Sequence, residues 1–340
     1  MYASAQGPAM ITATIPVQMA TIETGTRTRK ENITTAARVI IAVALTAVLL
    51  WQSDPGAVWD AARGADWRFI VIACVLVALD RVLMAYRWVT LLAPLHPDSR
   101  PPLGTVMRIF FISTFVGTFL PASVGGDAVR AYGLSKEGVR GVDAVASVLM
   151  DRLLGVVSIL IVAIVGAMLA RDLIDIRALF PAFAMLMVAC FAALAVVFSP
   201  RAAVAAAGVL ALLPRGRETG SRLVTAIQRY ASFHLVMVNV LLCSIAVQVL
   251  RVLQTYCLGL ALGLAVPLGV YFALVPIILL IVLMPITING VGTTQAGFVW
   301  LFGRAGVGSA PAFALSVLFL GIAVVGNLPG AVLYLKRSRN

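Results

Sequence analysis

The 340-residue chain is 61% apolar and only 12% charged, with a formal net charge of +12 and a mean hydropathy of +1.02. Soluble domains average roughly 45–50% apolar and about 25% charged residues, so this composition excludes a water-soluble globule and points to lipid as the solvent. The basic residues sit in short loops and at both ends rather than along one polar face, which excludes a nucleic-acid surface and matches the charge bias of cytoplasmic loops.

Residues 1–35 are polar and threonine-rich, the composition of a disordered cytoplasmic tail. Apolar runs at 36–51, 69–86, 144–170, 178–198, 234–262 and 311–335 approach or exceed the roughly 18–20 residues that span a hydrocarbon core as helix. They do not alternate apolar and polar residues, which excludes a membrane β-barrel. Basic residues before the first run (Arg27, Arg29, Lys30, Arg38) place the N-terminus inside, and the acidic loop with Asp54, Asp60 and Asp66 suits the outside. Lys336, Arg337 and Arg339 place the C-terminus inside as well. In the second run Asp80 and Arg87 share a helical face, and Arg87-Trp88 reads as an interfacial anchor, a snorkelling cation beside an indole.

Two pieces of the chain are apolar but interrupted. Residues 106–120 run into Pro121-Ala-Ser-Val-Gly-Gly126, and residues 268–284 run into Pro285-Ile-Thr-Ile-Asn-Gly290. Proline removes a backbone donor and glycine weakens helix, so a break belongs at each. Basic flanks on both sides make the first a re-entrant hairpin, or two tightly joined helices, entering from the cytoplasm, and crossing parity makes the second enter from the opposite face. The two cores lie 164 positions apart, and each half, about 36–170 and 178–335, reads as span, span, broken hairpin, span. The predicted fold is therefore an all-α polytopic membrane protein of about six full spans and two re-entrant hairpins in an inverted repeat, a transporter pattern. Residues 202–213 read as an interfacial helix, and 336–340 as a basic tail.

Ionisable residues inside spans usually mark a site or its partner. Asp127 and Arg130 share a face after the first break. Asp151 and Arg152 lie in the run 144–170, and Arg251 lies mid-run between Gln248 and Gln254. Arg152 is placed to meet Asp127 or an anionic ligand. Each has a structural alternative: a surface ion pair for Asp127 and Arg130, and interhelical packing for Arg251. Together with Pro121, Gly125, Gly126, Pro285, Asn289, Gly290 and Gly292 at the breaks, they form the candidate substrate-binding set. Broken helices expose N–H groups that favour anions, glycine admits close backbone approach, and arginine holds phosphate. The four cysteines, Cys74, Cys190, Cys243 and Cys257, lie within apolar runs without metal-ligand spacing. No P-loop, His-Glu-x-x-His, serine elbow or dinucleotide fingerprint is present, so no catalytic residue, cofactor or metal is expected.

Arg87-Trp88, Leu120-Pro-Ala-Ser-Val-Gly-Gly-Asp127 with Arg130-Ala-Tyr132, Asp151-Arg-Leu-Leu-Gly155, and Pro285-Ile-Thr-Ile-Asn-Gly-Val-Gly292 resemble, in that order, the lysylphosphatidylglycerol synthase transmembrane-region family, also called the flippase-like domain family. The resemblance covers most of 36–335. It implies a membrane domain that translocates lipid, which in the full synthase is an aminoacylated phosphatidylglycerol made by a separate cytoplasmic domain. The chain stops just after its last span, so a stand-alone member without synthase activity is implied. Where the family commonly carries a basic residue followed by Glu, this sequence has Thr294 and Gln295.

The expectation is an ATP-independent flippase or transporter of the bacterial inner membrane. Its partner would be an anionic phospholipid, glycolipid or hopanoid-type lipid, with no nucleic acid; a lipid-biosynthesis enzyme and a second copy of the chain are candidate protein partners. The rival reading is a membrane enzyme or accessory subunit in hopanoid, polyprenyl-phosphate or glycolipid metabolism, with Asp127 or Asp151 as its carboxylate.

Overall fold

A computed structural model describes residues 46–92, 101–119, 124–171, 180–210, 216–283 and 290–337. The predicted tail at 1–35, most of the first predicted span, and Pro121, Pro285 and Asn289 lie outside these residues. After a helix that ends at Gln52 come α1 (Pro55–Arg63), α2 (Trp67–Leu92), α3 (Leu103–Phe119), α4 (Val124–Lys136) and α5 (Gly141–Leu169). The second half has α6 (Phe180–Phe198), α7 (Pro200–Leu210), α8 (Gly216–Gln228) and a 3-10 turn at Arg229–Phe233. It continues with α9 (His234–Ala261), α10 (Leu268–Leu283), α11 (Thr293–Arg304) and α12 (Ser309–Arg337).

Among the described residues four helices are long and apolar enough to cross a membrane: Trp67–Leu92, Gly141–Leu169, Glu218–Ala261 and Ser309–Leu335. A fifth crossing is reached if Ala184–Phe198 and Pro200–Leu210, bent by 105° at their junction, act as one span. The expected interfacial helix at 202–213 is thus the arm beyond that bend, ending at Leu210 among the described residues. The stretch 214–232, polar in sequence, holds helix from Gly216 onward and feeds directly into α9. Ala226 and Tyr230 are buried with Leu91, Met150 and Val240, and Leu223 and Ile227 pack against them, so the stretch has an apolar face a residue count overlooks.

The long helices expose apolar faces outward as well as burying apolar residues within. On α2 the residues Val71, Val75, Leu79, Val82 and Tyr86 are exposed, while Ala73, Val77, Asp80, Arg87 and Trp88 are buried. In lipid the apolar face needs no cover, and the charged groups must turn toward protein. Close packing then depends on small residues. A Cβ on Gly166 of α5 would collide with the Phe272 carbonyl of α10, and one on Gly330 of α12 with the Phe111 carbonyl of α3.

Among the described residues α3 runs to Phe119 and α4 begins at Val124, while α10 runs to Leu283 and a turn through Gly290 and Gly292 precedes α11 at Thr293. The packing partners repeat across the halves. Helix α2 packs on α9; α3 packs on α12 as α10 packs on α5; α4 contacts α3 and α5 as α11 contacts α10 and α12. Exchanging α2–α5 for α9–α12 leaves this set of neighbours unchanged.

Candidate functional site

A cavity of about 310 Å³ lies between the two broken hairpins. Gly126 from the first break and Gly290 from the second both line it, with Asp127, Arg130, Arg152 and Arg251. Asp80, Arg81, Gln254, Thr294 and Asn327 are among its other polar residues, and Leu279, Val282 and Phe319 are among its apolar ones. Its lining counts four guanidinium groups against two carboxylates, a net charge of +2.

The breaks shape the wall by local chemistry. Gly290 and Gly292 have φ of 76° and 86°, backbone conformations that glycine alone adopts freely. The turn they make lets the Thr293 and Thr294 hydroxyls donate to the Gly290 carbonyl at 3.0 and 2.7 Å. Gln295 reaches back to accept from the Gly292 amide at 2.6 Å, satisfying a donor at the start of α11. In the first hairpin Gly126 serves close packing: a Cβ there would stand 2.9 Å from the Ser113 carbonyl oxygen and 3.2 Å from Gly117 Cα. Gly125, half-buried in the first turn of α4, does not line the cavity.

Behind and around the cavity the charges form three groups. Asp151 accepts from Arg87 Nε at 2.7 Å and from Arg130 Nη1 at 3.1 Å. Arg87 also donates to the Ser244 hydroxyl at 3.0 Å. The Arg130 guanidinium lies 4.9 Å from the Trp88 ring and 4.8 Å from the Phe110 ring, two adjacent cation–π contacts. Arg152 closes on Asp127 in a bidentate pair at 2.6 and 2.9 Å. Asp80 takes Arg81 at 3.2 Å on one oxygen and Arg251 at 3.3 Å on the other.

These contacts revise several expectations. Arg87 and Trp88 are not an interfacial anchor: they are 4% and 0% exposed, because Asp151 and the Arg130 stack draw them inward. Asp127 and Arg130 form ion pairs with Arg152 and Asp151, so the i,i+3 surface pair is replaced by links between α4 and α5. Asp80, Arg81 and Gln254, outside the candidate set, line the cavity beside Arg251. Their signal in the sequence was the presence of two charges and an amide inside apolar runs. Asp151 is buried behind the wall and does not line it.

A sequence profile of the lysylphosphatidylglycerol synthase TM region matches residues 36–330. The chain belongs to that family. The lysylphosphatidylglycerol synthase TM region thus takes in both broken hairpins and every residue of the cavity wall. A UPF0104 membrane protein of Pyrococcus horikoshii is 29% identical over 126 residues, which are 36% of this chain and 37% of that protein. The match therefore spans little more than a third of that relative. No solved structure matches the chain. Among the described residues no group of His, Cys, Asp and Glu is placed to hold a metal ion.

Proposed function

We propose that this protein moves an anionic or phosphate-bearing lipid across the membrane, passing the head group through the cavity while the acyl chains stay in lipid. The observation that carries this is a cavity of net charge +2, about 310 Å³ in volume, set between two helix breaks in a protein whose outer surface is apolar. The volume is near the lower end of small-molecule sites, suited to a head group and too small for a whole lipid. The family is a membrane region of lipid-related proteins, which supports the same reading.

The repeat supports the transport reading further. Pro121 and Pro285, Gly126 and Gly290, Arg87 and Arg251, and Gly166 and Gly330 are all separated by 164 positions. With the exchangeable packing partners, this favours an internal duplication whose odd number of crossings inverts the second copy, the architecture in which a central site is reached alternately from either side. Both termini are assigned to the cytoplasmic side of the inner membrane. The ion pairs of Arg140 and Arg229 with Asp143, and of Arg108 with Glu137, support this by drawing three basic segments to one end of the bundle.

A carrier fits the site better than an enzyme does. Asp151 is held by two guanidinium groups and Asp127 by a bidentate one, so neither carboxylate is left free to face a substrate. The protein is read as a non-enzyme that uses no ATP. Reconstituted in liposomes, it should accelerate the transbilayer exchange of fluorescent anionic lipids. Rates equal to protein-free vesicles across phosphatidylglycerol, phosphatidate and glycolipid probes would refute the proposal.

A further inference from the structure

The cavity contains four arginines, and they are not equivalent. Arg130 is enclosed: Asp151 holds one of its Nη groups at 3.1 Å, two aromatic rings cover it and it is 5% exposed, although its Nε has no partner. Arg152 spends two donors on Asp127 at 2.6 and 2.9 Å, short for a charge-assisted pair. Arg81 and Arg251 are held more loosely. Each makes one contact to Asp80, at 3.2 and 3.3 Å, beyond the 2.7–2.9 Å of strong guanidinium–carboxylate bonds.

Their remaining contacts are weak. Arg81 Nη1 and Arg251 Nη2 both point to the Met84 sulfur, at 3.4 and 3.2 Å, and a thioether is a poor acceptor. Arg81 Nε has no partner, and neither does Nε2 of Gln254, a residue 4% exposed, one turn from Arg251 on α9 and part of the same wall. A buried donor without a partner costs about 1–3 kcal/mol. Two such donors beside two convergent guanidinium groups and one carboxylate call for a ligand rich in acceptor oxygens and negative in charge.

We propose that Arg81, Arg251 and Gln254, arranged around Asp80, form the oxyanion subsite of the cavity, which takes the phosphate ester of a head group. This rests on the reading of the cavity as a head-group site, and it deepens it by naming groups outside the candidate set. Asp80 holds the two like charges together while no anion is present. On binding, the phosphate oxygens take over donors now spent on the carboxylate and on sulfur. Asp80 therefore competes with the ligand as well as positioning its partners, and that gives its removal a distinctive sign.

The full chain in phosphatidylcholine nanodiscs tests this, with retention of dioleoyl phosphatidate read against dioleoylglycerol by native mass spectrometry. The wild-type chain should prefer phosphatidate. R81Q and R251Q should each weaken that preference roughly tenfold, the worth of one charge-assisted hydrogen bond. R140Q, on a pair outside the cavity, should leave it unchanged. D80N should strengthen retention, whereas a triad of purely structural role would lose retention and folding together. If R81Q or R251Q fails to fold, D80N and R251K carry the test, R251K keeping the charge while losing the fork. Competition by glycerol 3-phosphate assigns the subsite to phosphate alone, and its failure to compete assigns it to a lipid phosphate. Unchanged preference in R81Q and R251Q with loss in R130Q or R152Q overturns the subsite and leaves the head-group reading standing. No preference for phosphatidate in the wild-type chain overturns both.

Discussion

Arg87 on α2 and Arg251 on α9 each reach across to the other's helix, and they do so at equivalent places. Arg87 Nη1 donates to the Ser244 hydroxyl at 3.0 Å, and Arg251 Nε donates to Asp80 Oδ1 at 3.3 Å. Arg87 and Arg251 are 164 positions apart, and so are Asp80 and Ser244. The two contacts thus fall at positions offset by the same 164 residues, with a hydroxyl at one where the other has a carboxylate. Without Asp at 244, Arg87 draws its counter-charge from Asp151 on α5.

The two arginines should therefore differ in their hold on the fold. R87Q removes one of two cations from a carboxylate that is 3% exposed, and breaking a buried pair costs about 3–5 kcal/mol. R251Q acts on a side chain 22% exposed and leaves Arg81 on Asp80, so its cost should be about 1 kcal/mol. Thermal unfolding in detergent should rank R87Q well below R251Q; equal midpoints would contradict the ranking.

Gly166 and Gly330 should be equally intolerant of bulk. Valine at either would drive a side chain into a backbone carbonyl, of Phe272 or Phe111, and force α5 from α10 or α12 from α3. Overpacking typically costs about 1–3 kcal/mol, and a backbone neighbour cannot rotate aside. Both G166V and G330V should lower the melting temperature, while G321V, at a glycine with open space, should not.

The Arg152–Asp127 pair should matter to transport more than to stability. Arg152 is 43% exposed, so solvent screening leaves the pair worth about 1 kcal/mol or less. R152Q should leave folding near wild type and slow lipid exchange, and the exchanged pair D127R/R152D should recover part of the rate. Full activity in R152Q would remove this pair from the pathway.

Gln295 holds the start of α11 through the Gly292 amide, a role that an acceptor oxygen performs whether or not it is charged. Q295E should keep the melting temperature, and Q295A should lose about 1 kcal/mol. Thr294 instead faces the cavity, so T294K would raise the lining charge to about +3 by simple count. Retention of phosphatidate over neutral lipid should rise in T294K.

The helical membrane architecture was legible in sequence because lipid imposes it. Long apolar runs must be helices, and the glycines expected to interrupt the second hairpin do form a turn, Gly290 and Gly292 with positive φ, just before α11. Polar residues such as Asp151, Arg152 and Arg251 announced themselves by their cost in an apolar run. Of the contacts they make, the sequence offered Arg152 with Asp127, 25 positions apart, as one of two alternatives. Arg251 faces Asp80 across 171 positions, a distance at which local spacing carries no information.

The sequence by itself determined that this chain is a multi-spanning helical protein with two interrupted segments and a few charges inside it. Hydrophobicity and backbone hydrogen bonding dictate that much residue by residue. Only the tertiary structure decided that Arg87 and Trp88 turn inward, that Asp151 lies behind the cavity and Arg81 in its wall, and that the breaks share one space. Those outcomes depend on which helices pack together, and close approach at glycines such as Gly166 and Gly330 governs that, because in lipid the apolar faces alone do not choose a partner.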